Sequence, residues 1–156
     1  MWTIGPKSDY DEWARLVGDE TFNWENARKR YDKIESLDTE IAAEYQRYAD
    51  PKKGEHGRDG PVSIEMPKKW ERGFRESLDD IAEAGVPINT DVNSGDPIGF
   101  GVCPASAKRG VRVTAASAYL QDVSENLTIL TGVHVTKIVF EGDKAVGVQA
   151  DGQTCE

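Results

Sequence analysis

The 156-residue chain is acidic, with 28 Asp and Glu against 19 Lys and Arg, a formal net charge of −9 and a mean hydropathy of −0.59. Its length suits one domain with a real core. The acidic surplus argues against nucleic acid or an anionic membrane as a partner, since neither supplies the cations such a surface attracts. No apolar run approaches the roughly 18 residues of a membrane span.

The first half reads as helix. Asp11 to Val17 carries apolar residues at helical spacing and stops at Gly18, a C-terminal signal. Asn23 is an expected N-cap for a charged helix running through Glu35, and Thr39 to Tyr48 is a further short helix with Ile41, Ala42 and Tyr45 on one face. Residues 50–60 are a loop on every punctuation rule and separate this helical part from a mixed one. Pro61 to Met66 alternates apolar and polar residues, as a half-buried strand does. Lys69 to Ala84 is the clearest helix, with Trp70, Phe74, Leu78, Ile81 and Ala82 on one stripe and Gly85 and Pro87 closing it.

Ile88 to Pro97 is polar and turn-rich, and Ile98 to Val102 is a short strand candidate. Thr114 is an expected N-cap for a helix through Gln121. Leu127–Leu130, Val133–Phe140 and Ala145–Ala150 are expected strands, with Gly142-Asp143 turning the last two into a hairpin. A further strand is expected beyond Glu156. The opening Met1–Lys7 lacks a charged segment followed by an apolar stretch, so it is not read as a secretory signal.

Isolated chemical candidates are few. Cys103 and Cys155 have no metal spacing and allow one bridge only, which argues against a disulfide framework. Cys103 follows a glycine-rich segment with no lysine or histidine to ionise it, so it reads as a small packing residue. Asn126-Leu127-Thr128 fits the glycosylation sequon but opens an apolar strand candidate, a poor place for a glycan. His134 sits among alternating valines without a carboxylate or nucleophile at matching spacing, and His56 lies in a glycine-rich loop as a packing residue rather than a base. Lys108-Arg109-Gly110-Val111-Arg112 is either an anion site at the start of a helix or a solvated basic turn.

The order of several short motifs says more than any one of them. Trp2-x-x-Gly5 with Asp11, then Ser8-Asp9-Tyr10-Asp11-x-Trp13-Ala14 and Asn23-Trp24, precede His56-Gly57-x-x-Gly60-Pro61-Val62 and Gly85-Val86-Pro87. They are followed by Gly99-Phe100-Gly101, Gly110 through Leu120, Asn126 through Gly132, Val133 through Phe140 and Lys144 through Val148. Over nearly its whole length the chain resembles the middle of the glucose–methanol–choline (GMC) oxidoreductases, which oxidise alcohols with FAD.

The resemblance implies an α+β fold: a helical N-terminal part, a portion of an antiparallel substrate-domain sheet, and partial strands of a Rossmann-like FAD-binding domain. It implies three regions: residues 1–60 as the helical region and loop of the FAD-binding part, 61–113 as a partial substrate-binding domain, and 114–156 as a partial FAD-binding domain. It also implies a flavoprotein alcohol oxidase or dehydrogenase, with FAD as cofactor, a small-molecule alcohol as substrate, and hydride passing from a CH–OH donor to the flavin. Choline-type, aryl-alcohol-type and sugar-type relatives all fit.

By the same resemblance Val135 contacts the adenine edge through its main chain, and Met1, Trp2 and Thr3 are neighbours of the flavin. Ile4-Gly5-Pro6 departs from the Arg-Gly that many relatives carry there, which bears on the local flavin contacts. The phosphate-binding glycine loop and the proton-abstracting histidine of the family are expected outside this window, so no catalytic residue and no metal ligand is assigned, and the fragment alone is expected to be inactive. The alternative is a non-catalytic truncated paralogue or interaction module that keeps part of the fold.

Overall fold

A computed structural model describes residues 1–51 and 56–150, and the backbone of 153–155. The chain divides into two compact units, Met1–Gln121 and Asp122–Glu156.

In the first unit, helix α1 (Lys7–Val17) ends at Gly18, whose φ of 69° supplies the left-handed turn that releases the chain. A 3-10 turn at Glu20–Phe22 leads to α2 (Trp24–Ile34). The Asn23 side chain accepts the Asn26 amide at 3.0 Å, the expected cap. Helix α2 stops one residue earlier than expected because Glu35 opens a strand, β1 (Glu35–Asp38). Strand β1 pairs in parallel with β2 (Val62–Glu65), so its hydrogen-bonding partner lies 27 residues further along the chain. Val62 and Ile64 face inward on β2, and with Leu37 they form one core cluster, against which Trp2, Ile34, Val113 and Ala118 pack.

The helix expected over Thr39–Tyr48 is not formed. Only a 3-10 turn at Ala43–Tyr45 is present, and tertiary burial overrides the helical spacing: Tyr48 and Ala49 enter a second core cluster with Met66, Leu78 and Val102. Helix α3 (Phe74–Glu83) is shorter than the expected Lys69–Ala84, because Gly73 adopts φ 84° at its N-terminus. Trp70 therefore lies outside the helix, where it stacks on Tyr45 at 4.1 Å between ring centroids. Leu78 is fully buried, which contributes about 2 kcal/mol of apolar transfer.

Two-residue strands follow: β3 (Ile88–Asn89) parallel to β4 (Phe100–Gly101), and β5 (Ala107–Lys108) antiparallel to β6 (Val111–Arg112). Of the Ile98–Val102 strand candidate, only 100–101 pair. The pairings within 61–113 are thus mixed: β3–β4 is parallel, β5–β6 is antiparallel, and Glu65 makes an antiparallel bridge to Ala105. Helix α4 (Ala115–Tyr119) is capped as expected by Thr114 in a capping box with Ser117, and it ends two residues before Gln121.

The second unit is a hairpin with an added strand. Strand β7 (Val135–Glu141) pairs antiparallel with β8 (Lys144–Ala150) through the expected Gly142-Asp143 turn, where Gly142 takes φ 62°. Strand β9 (Gln153–Cys155) pairs antiparallel with β8 in the order β7-β8-β9, so a third strand falls inside the chain. Leu127–Leu130, expected as a strand, has no strand partner among the described residues. Val135, Ile138 and Phe140 on β7 are each more than half exposed. The coarse class is α+β, and no helix among the described residues is long and apolar enough to cross a membrane.

Candidate functional site: a buried polar clamp

The first unit encloses a cluster of charged side chains drawn from four parts of the sequence. Arg28 and Asp32 lie one turn apart on α2, and the Arg28 Nε and Nη2 groups donate to Asp32 Oδ1 at 3.0 and 2.8 Å. Glu35 follows one further turn on, at the helix–strand junction, and its side chain is 1% exposed. Its Oε1 accepts Arg28 Nη2, the Gly57 amide at 3.0 Å and His56 Nδ1 at 3.2 Å, while its Oε2 accepts the Trp2 indole Nε1 at 3.1 Å. These donors offset the cost of taking a carboxylate out of water.

The loop that carries His56 can come this close because glycines stand at 57 and 60, where it meets the α2–β1 backbone. A Cβ on Gly57 would lie 2.1 Å from the Asp32 carbonyl oxygen, and one on Gly60 would lie 2.2 Å from the Ile34 carbonyl. The Gly57 carbonyl accepts the Leu37 amide at 3.0 Å, and the Gly60 amide donates to the Glu35 carbonyl at 3.1 Å. The His-Gly-x-x-Gly motif is therefore a backbone splint along the α2–β1 junction.

On its other side His56 Nε2 meets Asp91 Oδ2 at 2.7 Å. Asp91 sits in the turn-rich segment after β3, held by its amide donating to Asn89 Oδ1 and by its own Oδ1 accepting the Asn93 amide, both at 3.0 Å. Burial alone disfavours a charged His56, but Asp91 and Glu35 outweigh it and push its pKa up to about 9. Burial likewise raises the Glu35 carboxyl, and the His56 bond with the nearby Arg28 and the Gly57 amide bring it below its ordinary value. At neutral pH the imidazolium donates from both nitrogens, so the 3.3 Å approach of Arg28 Nη2 to Nδ1 is a contact between donors.

Both ring nitrogens of His56 are engaged by carboxylates, Nδ1 by Glu35 and Nε2 by Asp91. The adjoining cavity, lined by Trp2, Glu35, His56, Asp91 and Asn93 among others, has a volume of about 10 Å³, room for one water and none for an alcohol. What the cluster can do is hold.

The expected cofactor neighbours fall in both units. Met1 and Thr3 are exposed, while Trp2 between them is half-buried. The Trp2 amide donates to the Pro104 carbonyl at 2.8 Å, and its indole packs edge-on to Tyr31. Val135 begins β7 in the second unit, and β7 is an edge strand of its sheet among the described residues. His134 is exposed just before β7.

The basic run 108–112 forms the β5–β6 hairpin, not a helix start, and its anion is supplied by the chain itself: the Arg109 and Gly110 amides donate to the Glu65 carboxylate at 2.9 and 2.8 Å. Glu35, Asp91 and Arg28 carry no sequence signal for joining a site, since one lies in an apparent helix, one in a polar turn and one on a charged face. His56 in its glycine loop was the single visible member.

The GMC oxidoreductase profile matches residues 1–155. Oxygen-dependent choline dehydrogenase of Staphylococcus aureus is 33% identical over 150 residues, covering 95% of this chain and 25% of that protein. Among solved structures, pyridoxine 4-oxidase from Mesorbium loti has a TM-score of 0.79 at 28% identity over 97% of this chain and 28% of its own. An FAD-dependent oxidoreductase from Chaetomium thermophilum has a TM-score of 0.85 at 25% identity, covering 99% of this chain and 28% of its own. The chain thus spans about a quarter of the length of the relatives it matches. The chain belongs to the GMC oxidoreductase family.

Proposed function

We propose that this chain serves an FAD-dependent oxidoreductase acting on the CH–OH group of a small alcohol. The match to the GMC family over residues 1–155 carries that reading, and the names of the relatives, a choline dehydrogenase, a pyridoxine oxidase and an FAD-dependent oxidoreductase, support it. Bound FAD would supply hydride acceptance. The chain's own part is to hold the cofactor and shape its surroundings, and no residue in it is assigned as the base.

Two features fit such a cofactor. Strand β7 leaves one edge of main-chain donors and acceptors without a neighbouring strand among the described residues, which suits the backbone contact assigned to Val135 at the adenine. The segment Met1–Thr3 is held by its main chain with Met1 and Thr3 exposed, which suits neighbours of the flavin. We assign residues 1–60 and 114–156 to the FAD-binding part and 61–113 to the substrate-binding part. The exposed valine, isoleucine and phenylalanine of β7 favour a sheet that is covered in the whole protein.

The test is anaerobic mixing of the flavin-loaded native protein that carries this chain, rather than the isolated 156 residues, with a panel of primary alcohols that includes choline and pyridoxine. Bleaching of the flavin by a panel member is the expected result. A protein that takes up no flavin would favour the non-catalytic alternative.

A further inference from the structure

The hydrogen bonds around His56 form a closed circuit that starts and ends on one residue. From the Trp2 indole the path runs to Glu35, to His56 and to Asp91 at 3.1, 3.2 and 2.7 Å. From Asp91 it continues to the Asn93 amide at 3.0 Å. The Asn93 side chain then returns to the starting segment: its Oδ1 accepts the Ile4 amide at 2.7 Å and its Nδ2 donates to the Trp2 carbonyl at 3.2 Å. Asn93 is 2% exposed and Glu35 1%, so neither end of the circuit is softened by water. Side chain and main chain of Trp2 are thus gripped by the two ends of one buried network.

The circuit ties the indole and the main chain of one half-buried residue to two different buried groups, Glu35 and Asn93. We propose that Glu35, His56, Asp91 and Asn93 are positioning residues that fix the orientation of the Trp2 indole and of the Met1–Thr3 segment beside the flavin. The proposal rests on the reading that this segment neighbours FAD. Glu35 is the hub, because it alone touches the indole, the imidazole, the α2 guanidinium and the loop amide. The cluster lets two cations, Arg28 and His56, share carboxylates, so the indole acceptor stays ionised and keeps one fixed direction.

The experiment uses the flavin-loaded protein that carries this chain, with Trp2→Phe, Glu35→Gln and the double variant, read by flavin absorption and emission spectra and by turnover. Each single variant is expected to shift the flavin spectra and to lower kcat roughly ten- to a hundredfold, the cost of a misplacement on the scale of an ångström. Because the two residues act through one contact, the double variant is expected to match the worse single one rather than the product of both.

Additive effects overturn the proposal, as do unchanged spectra and kcat with only a lowered melting temperature. If Glu35→Gln yields no folded protein, Trp2→Phe decides alone, since it keeps a six-membered aromatic ring while removing the pyrrole ring and its N–H donor, with the melting temperature reporting any loss of packing against Tyr31. Thr3→Val, outside the circuit, separates the proposal from the reading beneath it. If Thr3→Val moves the flavin spectra and the other two do not, the segment lies by the flavin and the clamp is refuted. If none of the three moves them, both are refuted.

Discussion

Alkaline pH should weaken the Met1–Gln121 unit through one group, His56. The groups that face its ring among the described residues are Asp91, Glu35 and Arg28, two anions and one cation. A histidine that holds its proton to about 9 when folded and to its ordinary 6.5 when unfolded gains about 3 kcal/mol from protonation. Its side chain is 2% exposed, so little of that is screened by solvent. Because the folded value is the higher one, the contribution is fully present below 6.5, falls across the interval, and is gone above about 9.

The assay is urea unfolding at about pH 6 and about pH 10, followed by tryptophan emission, on the chain and on His56→Asn. Tyrosines and lysines also titrate near the upper end, so the informative quantity is wild type minus variant. That difference should shrink by about 2–3 kcal/mol between the two conditions. An unchanged difference would mean that the imidazole is neutral in the folded chain, and the charged clamp would be wrong.

Other substitutions test separate parts of the structure. Leu78→Ala, at a fully buried side chain, should cost about 3–5 kcal/mol in a denaturant titration. Gly57→Ala should abolish folding or cost more than about 3 kcal/mol, because the new methyl meets backbone on two sides, whereas Gly110→Ala meets nothing within 4 Å and should cost about 1 kcal/mol for its φ of 77°. Equal melting temperatures for these two variants would contradict the splint. Thr114→Ala should lower stability by about 1 kcal/mol through loss of the capping box. The isolated 156 residues should bind FAD weakly, since a pyrophosphate-cradling glycine loop is not among them; a submicromolar Kd by calorimetry would show the cofactor contacts to be misassigned.

Features encoded by near neighbours were legible in the sequence. Asn23 and Thr114 cap their helices because each needs only an amide three residues away, and Gly142-Asp143 turns a hairpin whose strands flank it directly. Features that depend on distant partners were not. Glu35 reads as the end of a charged helix, and with Ser36, Leu37 and Asp38 it becomes a strand only because Val62–Glu65 lies beside it. Thr39–Tyr48 has helical spacing, yet Tyr48 and Ala49 are drawn into the core with Leu78, and only a 3-10 turn at Ala43–Tyr45 forms. Gly73 cut the longest expected helix, a cost of its left-handed φ that the apolar stripe concealed.

The polar cluster shows the same division. The His56-Gly57-x-x-Gly60 motif was visible, but its meaning lies in the close approach to the Asp32 and Ile34 carbonyls and in a carboxylate supplied 35 residues later by Asp91. The motif order carried the family further than any single residue did, because each piece is weak alone and the succession is not. Val135 lies on an edge strand among the described residues and Trp2 is anchored by its amide to Pro104, while contact of Val135, Met1, Trp2 and Thr3 with FAD stands as a proposal.

The most direct measurement is the visible absorption spectrum of the native protein, captured from its source with an antibody raised to this chain, before and after anaerobic addition of alcohols. A flavin spectrum that bleaches with one of them is the expected result. A captured protein with no flavin, and none taken up from added FAD, would contradict the proposed oxidoreductase function.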